Sequence, residues 1–229
     1  MTAVGVFWDV DGTMSDSYQL GYSSTNEVLK QHGKGEISEL EYHEGTKFTT
    51  PRRLAWHVTG DPDNVIGQQL GQEFDDLYVE LVNEHTTLLY DGIKGLLEGI
   101  KTNYPSVHYA ALSNACTAYV QRVIHVNNID SMFGIALGAD KVPQAKPFPH
   151  GLLYIAENLH IHPTRCVYIG DSPTDGQAAK AAGMHSIGVT WGSYSKEKIA
   201  GKFDEIVENA AALEVSLIQC IEKLLLQFD

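Results

Sequence analysis

Ala3-Val4-Gly5-Val6-Phe7-Trp8-Asp9-Val10-Asp11-Gly12-Thr13 opens on an apolar run and closes on two carboxylates and a glycine. The apolar part does not alternate with polar residues, which is how a strand reads when both faces of its sheet are covered. Its polar tail then falls at the strand's carboxyl end, where open parallel sheets bind ligands. Similar short runs recur at Val107–Leu112, Arg165–Ile169 and His185–Val189. Helical spacing separates them, over Ile93–Tyr104, from Asn114 to about Val126, over Phe148–Leu159 and over Asp175–Ala182, the last stopped by Gly183. Strands alternating with helices predict a parallel α/β sheet.

Residues 14–88 break the alternation. Amphipathic stretches near Ser24–Gln31, Pro51–Val58 and Gln68–Glu84 read as helices, with no convincing buried strand among them. The segment is too long for a loop, so it is expected to form a small helical domain inserted after the first strand. The core is then residues 1–13 and 89–229. Apolar residues at 213, 217, 218, 221, 224 and 225 predict a closing helix over Ala210–Phe228.

Four polar clusters follow the predicted strands or precede a helix: Asp9-Val10-Asp11-Gly12-Thr13, Ser113-Asn114, Lys146-Pro147, and Gly170-Asp171-Ser172-Pro173-Thr174-Asp175. On a parallel sheet they converge on one edge. Asp9 and Asp11, two residues apart, are expected to point the same way. Neighbouring carboxylates repel each other and repel a phosphate, and a divalent cation resolves both conflicts. Carboxylates are hard oxygen donors that suit Mg²⁺ better than zinc, and Asp9, Asp11, Asp171 and Asp175 are the candidate ligands. Asp9 is placed to attack phosphorus as a nucleophile. Asp11 is placed to protonate the leaving oxygen and later to activate water. Gly12 lets the backbone approach a phosphate closely, and Thr13 beside it is a further candidate to bind the phosphate. Ser113 and Asn114, with nearby N–H groups, are expected to bind the transferring oxygens, and Lys146 to set a compact positive charge against them.

Plainer roles exist for the same residues. Asp-Gly is a common turn signal. Lys146 before Pro147 suits any helix start, and Asp175 suits a helix cap. It is the ordered set of clusters that argues for chemistry. His160 and His162 read as loop residues, and no metalloprotease, dinucleotide, P-loop or nucleophile-elbow motif is present.

The chain has 229 residues and a net charge of −13. It is long enough for a real core without disulfides or structural metal. The charge argues against nucleic acid, which needs clustered Lys and Arg. No run approaches a membrane span and the N-terminus lacks a basic n-region, so no membrane association and a cytoplasmic location are expected. Cys116, Cys166 and Cys220 form no C-x-x-C pair and read as buried thiols in a reducing compartment.

Asp9-x-Asp11-Gly12-Thr13, Ser113, Lys146-Pro147 and Gly170-Asp171-x-x-x-Asp175, in that order, resemble the haloacid dehalogenase-like superfamily over nearly the whole chain. The resemblance implies a Rossmann-like core with helices on both faces, a helical cap at residues 14–88, and Mg²⁺-dependent phosphoryl transfer through an aspartyl-phosphate on Asp9. A carboxylate at Asp11 is similar to the phosphatases and mutases and unlike the dehalogenase and phosphonatase branches. Gly188-Val189-Thr190-Trp191-Gly192, Phe203-Asp204-Glu205-Ile206-Val207 and Lys146-Pro147-Phe148-Pro149 look like the phosphoglycolate phosphatase branch. Trp8 and Met14 stand where that pattern usually has Phe and Leu, both apolar exchanges. The expected partner is a small phosphorylated metabolite. A mutase of the β-phosphoglucomutase type would use the same residues. A retired binding protein on this fold would be expected to have lost some of them, and all are present.

The insert carries −8 of the net charge and the remainder −5. Three of its five basic residues crowd into Lys47-Phe48-Thr49-Thr50-Pro51-Arg52-Arg53, with His43 just before. His43, Lys47, Arg52 and Arg53 are therefore candidates to face the catalytic edge and read the substrate's leaving group, Arg by bidentate contact with a carboxylate or second phosphate. The plain alternative pairs them with Glu41, Glu44 and other acids of the insert.

Overall fold

The computed structural model describes residues 3–226. Among the described residues, eight strands, β1 (Val4–Trp8), β2 (Ser15–Asp16), β3 (Leu88–Leu89), β4 (Val107–Leu112), β5 (Phe133–Leu137), β6 (Cys166–Gly170), β7 (His185–Val189) and β8 (Glu205–Val207), form two sheets. The described α-helices are α1 (Tyr18–Gln31), α2 (Glu39–Gly45), α3 (Thr50–Thr59), α4 (Ile66–Leu81), α5 (Ile93–Asn103), α6 (Thr117–Val126), α7 (His150–Asn158), α8 (Pro173–Ala182), α9 (Lys196–Ile199) and α10 (Ala210–Leu226).

The main sheet runs β5-β4-β1-β6-β7-β8, every pair parallel. This is the Rossmann-like order, in which the chain builds outward on one side of β1 and then crosses to build on the other. The direction of winding reverses between β1 and β6, and that switch point opens a crevice at their carboxyl ends. Side chains alternate across the strands. Val4, Val6 and Trp8 of β1, with Val107, Tyr109 and Val167, pack against α5, α6 and α10. Phe7, Ala110, Tyr168 and Cys166 pack on the opposite face against α7 and α8. Burial on both faces is the physical reason β1 and β6 read as unbroken apolar runs. The expected closing helix ends its described part at Leu226, and Phe228 lies outside the described residues.

The edge strands β5 and β8 were not among the expected elements. Phe133-Gly-Ile-Ala-Leu137 is only partly buried, and Glu205–Val207 has three residues, so neither carries a strong apolar run. A second departure lies in the insert. Ser15 and Asp16 pair antiparallel with Leu89 and Leu88, so the two crossings between the core and the helices form a short ribbon. Between them lie α1 to α4. Leu54 of α3 and Leu70 and Phe74 of α4 are buried where those helices meet. Gly71 holds the pair close, since a Cβ there would come within 3.0 Å of Pro51 Cα. The helices reach the core where Tyr78 of α4 stacks on Tyr119 of α6, ring centroids 4.2 Å apart. Among the described residues, no helix is long and apolar enough to cross a membrane.

Candidate active site

The crevice holds three buried carboxylates. Asp9 follows β1, Asp171 follows β6, and Asp175 lies in the first turn of α8. One oxygen from each lies within 4.8 Å of the others. Lys146 reaches them from the loop before α7. Its Nζ donates to Asp9 Oδ1 at 2.5 Å and Asp175 Oδ1 at 2.7 Å, with Tyr168 Oη at 3.1 Å and the Leu112 carbonyl at 3.2 Å also in range. The lysine side chain is 4% exposed, so the pairing is fully desolvated. One ammonium faces three carboxylates, and the electrostatics follow from that imbalance. Burial, then repulsion from Asp175, raises Asp9 to about 7 against the pull of Lys146. Burial and then Asp9 push Asp171 well above the usual carboxylate range. Burial would depress Lys146, but Asp175 and Asp9 together hold it well above its ordinary value.

Glycines make room for this cluster. Gly12 has φ +77°, and a Cβ there would sit 2.4 Å from Asp171 Oδ2. Gly192 approaches the same carboxylate from the other side, and the Ser193 N–H donates to Asp171 Oδ2 at 2.6 Å. Asp175 takes the capping role expected of it. Its Oδ2 accepts from the Ser172 N–H and hydroxyl in a capping box, while Oδ1 faces Lys146 and Tyr168. Thr13 Oγ1 donates to Asp9 Oδ2 at 3.1 Å.

Two placements differ from the sequence expectation. The Asp11 side chain does not join the carboxylate cluster. It turns toward the insert and accepts from Tyr119 Oη at 2.5 Å, Ser17 Oγ at 2.6 Å, Ser113 Oγ at 2.9 Å and Tyr78 Oη at 3.4 Å. Past the end of β1 the chain turns at Gly12, so the strict two-residue alternation no longer sets direction. Asn114 lines the cavity, but its amide is engaged with backbone: its Nδ2 donates to the Lys146 carbonyl and its Oδ1 accepts from the Lys146 N–H, both at 3.0 Å. Its role in this geometry is to hold the lysine loop.

Above the cluster lies a cavity of about 330 Å³ between core and insert. Tyr42, Thr46, Phe48, Arg53, Phe74 and Tyr78 line its upper wall. Arg53 alone of the four basic candidates is among the lining residues. It is buried between the rings of Tyr42 and Phe74, 5.1 and 4.6 Å from their centroids, and its Nε and Nη2 have no hydrogen-bond partner. Arg52 instead pairs with Asp63 at 3.0 Å on the surface. Lys47 lies over Phe48 and Trp56, and His43 packs on Tyr194. Sequence reasoning missed Ser17, Tyr78, Tyr119, Tyr168 and Ser193. Tyr168 sits inside the apolar run of β6, where a tyrosine reads as core, and only the pairing of strands brings its hydroxyl beside Lys146.

Acidic residues and a buried lysine at the switch point of a parallel sheet, roofed by a helical insert, define a Rossmann-like α/β core with a candidate active site at its crevice. Residues 6–189 match the model of the haloacid dehalogenase-like hydrolases, and the chain belongs to that family. It is similar to the phosphoglycolate phosphatase of Shigella dysenteriae, with 31% identity over 217 residues covering 82% of this chain and 81% of that one. The phosphoglycolate phosphatase of Pseudomonas putida is 29% identical over 192 residues, covering 82% of this chain and 69% of that one. The fold also matches the structure of CbbY from Rhodobacter sphaeroides in complex with phosphate, at a TM-score of 0.81 and 22% identity over 93% of this chain and 96% of that one. The protein is thus a phosphatase of the haloacid dehalogenase-like type.

Proposed function

We propose that the protein is a Mg²⁺-dependent phosphatase that hydrolyses a small phosphomonoester, phosphoglycolate or a sugar phosphate, through an aspartyl-phosphate on Asp9, with residues 14–88 acting as a cap over the site. The observation that carries this reading is the buried cluster of Asp9, Asp171 and Asp175, countered by one lysine and open to a cavity of phosphomonoester size. Hard oxygen donors with surplus negative charge and raised proton affinity suit a hard dication, so the residues fit Mg²⁺. Asp9, Asp171 and Asp175 would hold it, and when bound it would neutralise charge on the cluster and on the arriving phosphate. The Asp11 carboxylate stands apart from this set and is left free for proton transfer.

In the first step an Asp9 carboxylate oxygen attacks phosphorus and the bond to the leaving oxygen breaks. That oxygen takes a proton from Asp11. In the second step water attacks the phosphoaspartate, its proton passes to Asp11, and Asp9 is released with inorganic phosphate. Lys146, fixed by Asn114 and Tyr168, holds positive charge beside the attacking carboxylate. Ser113 donates to Asp11 and lines the cavity beside it. Ser17, Tyr78 and Tyr119 hold the Asp11 carboxylate from the cap side, so its position depends on the packing of insert against core.

Phosphate release from a panel of phosphomonoesters, with Mg²⁺ and with chelator, tests the reading. Activity that survives chelation would contradict the metal role, and turnover that needs a bisphosphate primer without net phosphate release would favour the mutase. A linked expectation concerns protons. Because Asp9 is raised to about 7 in the divalent-free protein, it carries a proton below that pH, and Mg²⁺ must displace it. Mg²⁺ affinity should therefore rise as pH climbs through about 7, with proton release visible by calorimetry in buffers of different ionisation enthalpy. Affinity independent of pH between 6 and 8 would count against Asp9 as a ligand.

Arg53 extends the proposal to the leaving group. Arg53 lines the cavity and carries two guanidinium nitrogens without a hydrogen-bond partner, which suits it to a carboxylate or second phosphate on the substrate. Arg53→Ala is expected to lower kcat/KM by about 10²-fold, the size of a lost charge-assisted contact. Arg52→Ala, which loses only a surface pair, should change it less than twofold. Equal effects of the two substitutions would remove Arg53 from substrate recognition.

A further inference from the structure

A second cluster of potential ligands lies at the opposite end of the sheet from the active site. His185 is the first residue of β7 and Glu205 the first of β8, and Cys220 reaches them from α10. Parallel strands place these first residues away from the carboxyl ends that carry Asp9 and Asp171. The His185 Nε2 lies 3.0 Å from Glu205 Oε1, and the Cys220 Sγ lies 3.8 Å from that same oxygen. One ligand atom from each residue falls within 4.8 Å of the other two.

The surroundings of the three residues are organised as well. Glu205 Oε2 accepts from Ser216 Oγ at 2.5 Å, which turns Oε1 toward the histidine and the thiol. The other ring nitrogen of His185, Nδ1, faces Asp204 Oδ2 at 3.6 Å. Asp204 is itself fixed by the Ser186 N–H and hydroxyl, both at 2.8 Å. A carboxylate behind a ligating imidazole orients the ring and raises its basicity, and a hydroxyl donating to a ligating carboxylate fixes its orientation. The histidine and glutamate side chains are about one-third and two-fifths exposed, so an ion has a path in.

We propose that His185, Glu205 and Cys220 form a binding site for a borderline-soft divalent cation of the Zn²⁺ kind, separate from the hard oxygen cluster at the catalytic edge. Sulfur, imidazole and one carboxylate are the donor set that favours Zn²⁺ over Mg²⁺. Three protein ligands leave the fourth tetrahedral position to water. Binding replaces the thiol proton of Cys220, which leaves to solvent, while His185 ligates as the neutral ring. A bound ion would tie the edge strand β8 and the closing helix α10 to β7.

Co²⁺ titrated into the full chain, stripped of metal by chelator, provides the test. A thiolate-bound Co²⁺ absorbs in the near ultraviolet by charge transfer, and Zn²⁺ displaces it. One equivalent should give that band in the wild type. It should vanish in Cys220→Ser, weaken at least about tenfold in affinity in His185→Gln, and persist in Asp171→Asn, which alters only the catalytic edge. The metal-free Tm of each variant checks that it has folded. A wild type without the band, a band that survives Cys220→Ser, or unaltered affinity in folded His185→Gln overturns the proposal. None of these readouts depends on the phosphatase substrate.

Discussion

Asp9→Asn should reduce kcat by at least about 10³-fold while leaving the chelated protein more stable above pH 7. The first effect follows from the proposed role as nucleophile. An amide cannot form the covalent intermediate, and removing a nucleophile costs several orders of magnitude because the remaining groups act only through it. The second effect is a matter of charge. An ordinary Asp ionises near 3.8, and folded Asp9 near 7. A folded-state value above the unfolded one means the protonated form favours folding, so stability is lost as pH rises from about 4 through about 7. Asparagine has no such dependence. Thermal unfolding with chelator at pH 5 and pH 8 checks it: the Tm of Asp9→Asn relative to wild type should increase from the first pH to the second. A variant that loses activity but also loses Tm at pH 8 would point to a misfolded site instead of a missing nucleophile.

Lys146→Met is expected to act in the opposite direction on stability. Among the described residues its ammonium is the one positive charge bonded to the cluster, and deletion leaves Asp9, Asp171 and Asp175 buried together without that counter-charge. Breaking a buried ion pair from one side costs about 3–5 kcal/mol. For a chain of this size that corresponds to a Tm lower by roughly 10 °C. Catalysis should fall by about 10²–10³-fold, the scale on which a fixed charge near a transition state acts. Mg²⁺ supplies positive charge to the same carboxylates, so it should raise the Tm of Lys146→Met by more than that of wild type. An equal Mg²⁺ shift in both proteins would show that lysine and cation do not share a common electrostatic site.

The net charge of −13 is no obstacle to an anionic substrate once it is divided by place. The insert carries −8, yet the basic group it turns to the cavity is Arg53. Under the proposed function the acids at the crevice would hold a cation. Phosphate affinity should consequently be weak in chelated protein and strengthen with Mg²⁺.

Much of this could be read before any coordinates. β4 and β7 have their expected bounds, and β1 and β6 lie within one residue of the expected runs. Strands buried on both faces leave an apolar signature that needs no partner to be recognised. The weaker edge strands β5 and β8 take their structure from a neighbour on one side, and their own composition hardly marks them. The insert showed α1, α3 and α4 through periodicity but not the short α2, and the β2–β3 ribbon joins residues more than seventy positions apart, a distance at which pattern carries no information.

The polar motifs illustrate the same division. Asp9, Lys146 and Asp171 announced themselves because each follows a strand or opens a loop at the edge where parallel sheets gather their ends. The destination of individual side chains was another matter. Arg52 and Arg53 are neighbours in sequence, and on a helix they point about 100° apart, so one meets Asp63 in solvent and the other enters the cavity. Asp11 turned from the carboxylates to four hydroxyls drawn from α1, α4, α6 and the loop after β4 and from the residues flanking them. Local sequence by itself determined the α/β alternation, the inserted helices and the ordered set of acidic and basic residues, because hydrophobic period and turn chemistry act over a few residues. Only the tertiary structure decided which of those charges share a buried site and which dissolve into the surface, because burial and pairing energies depend on atoms brought together from distant parts of the chain.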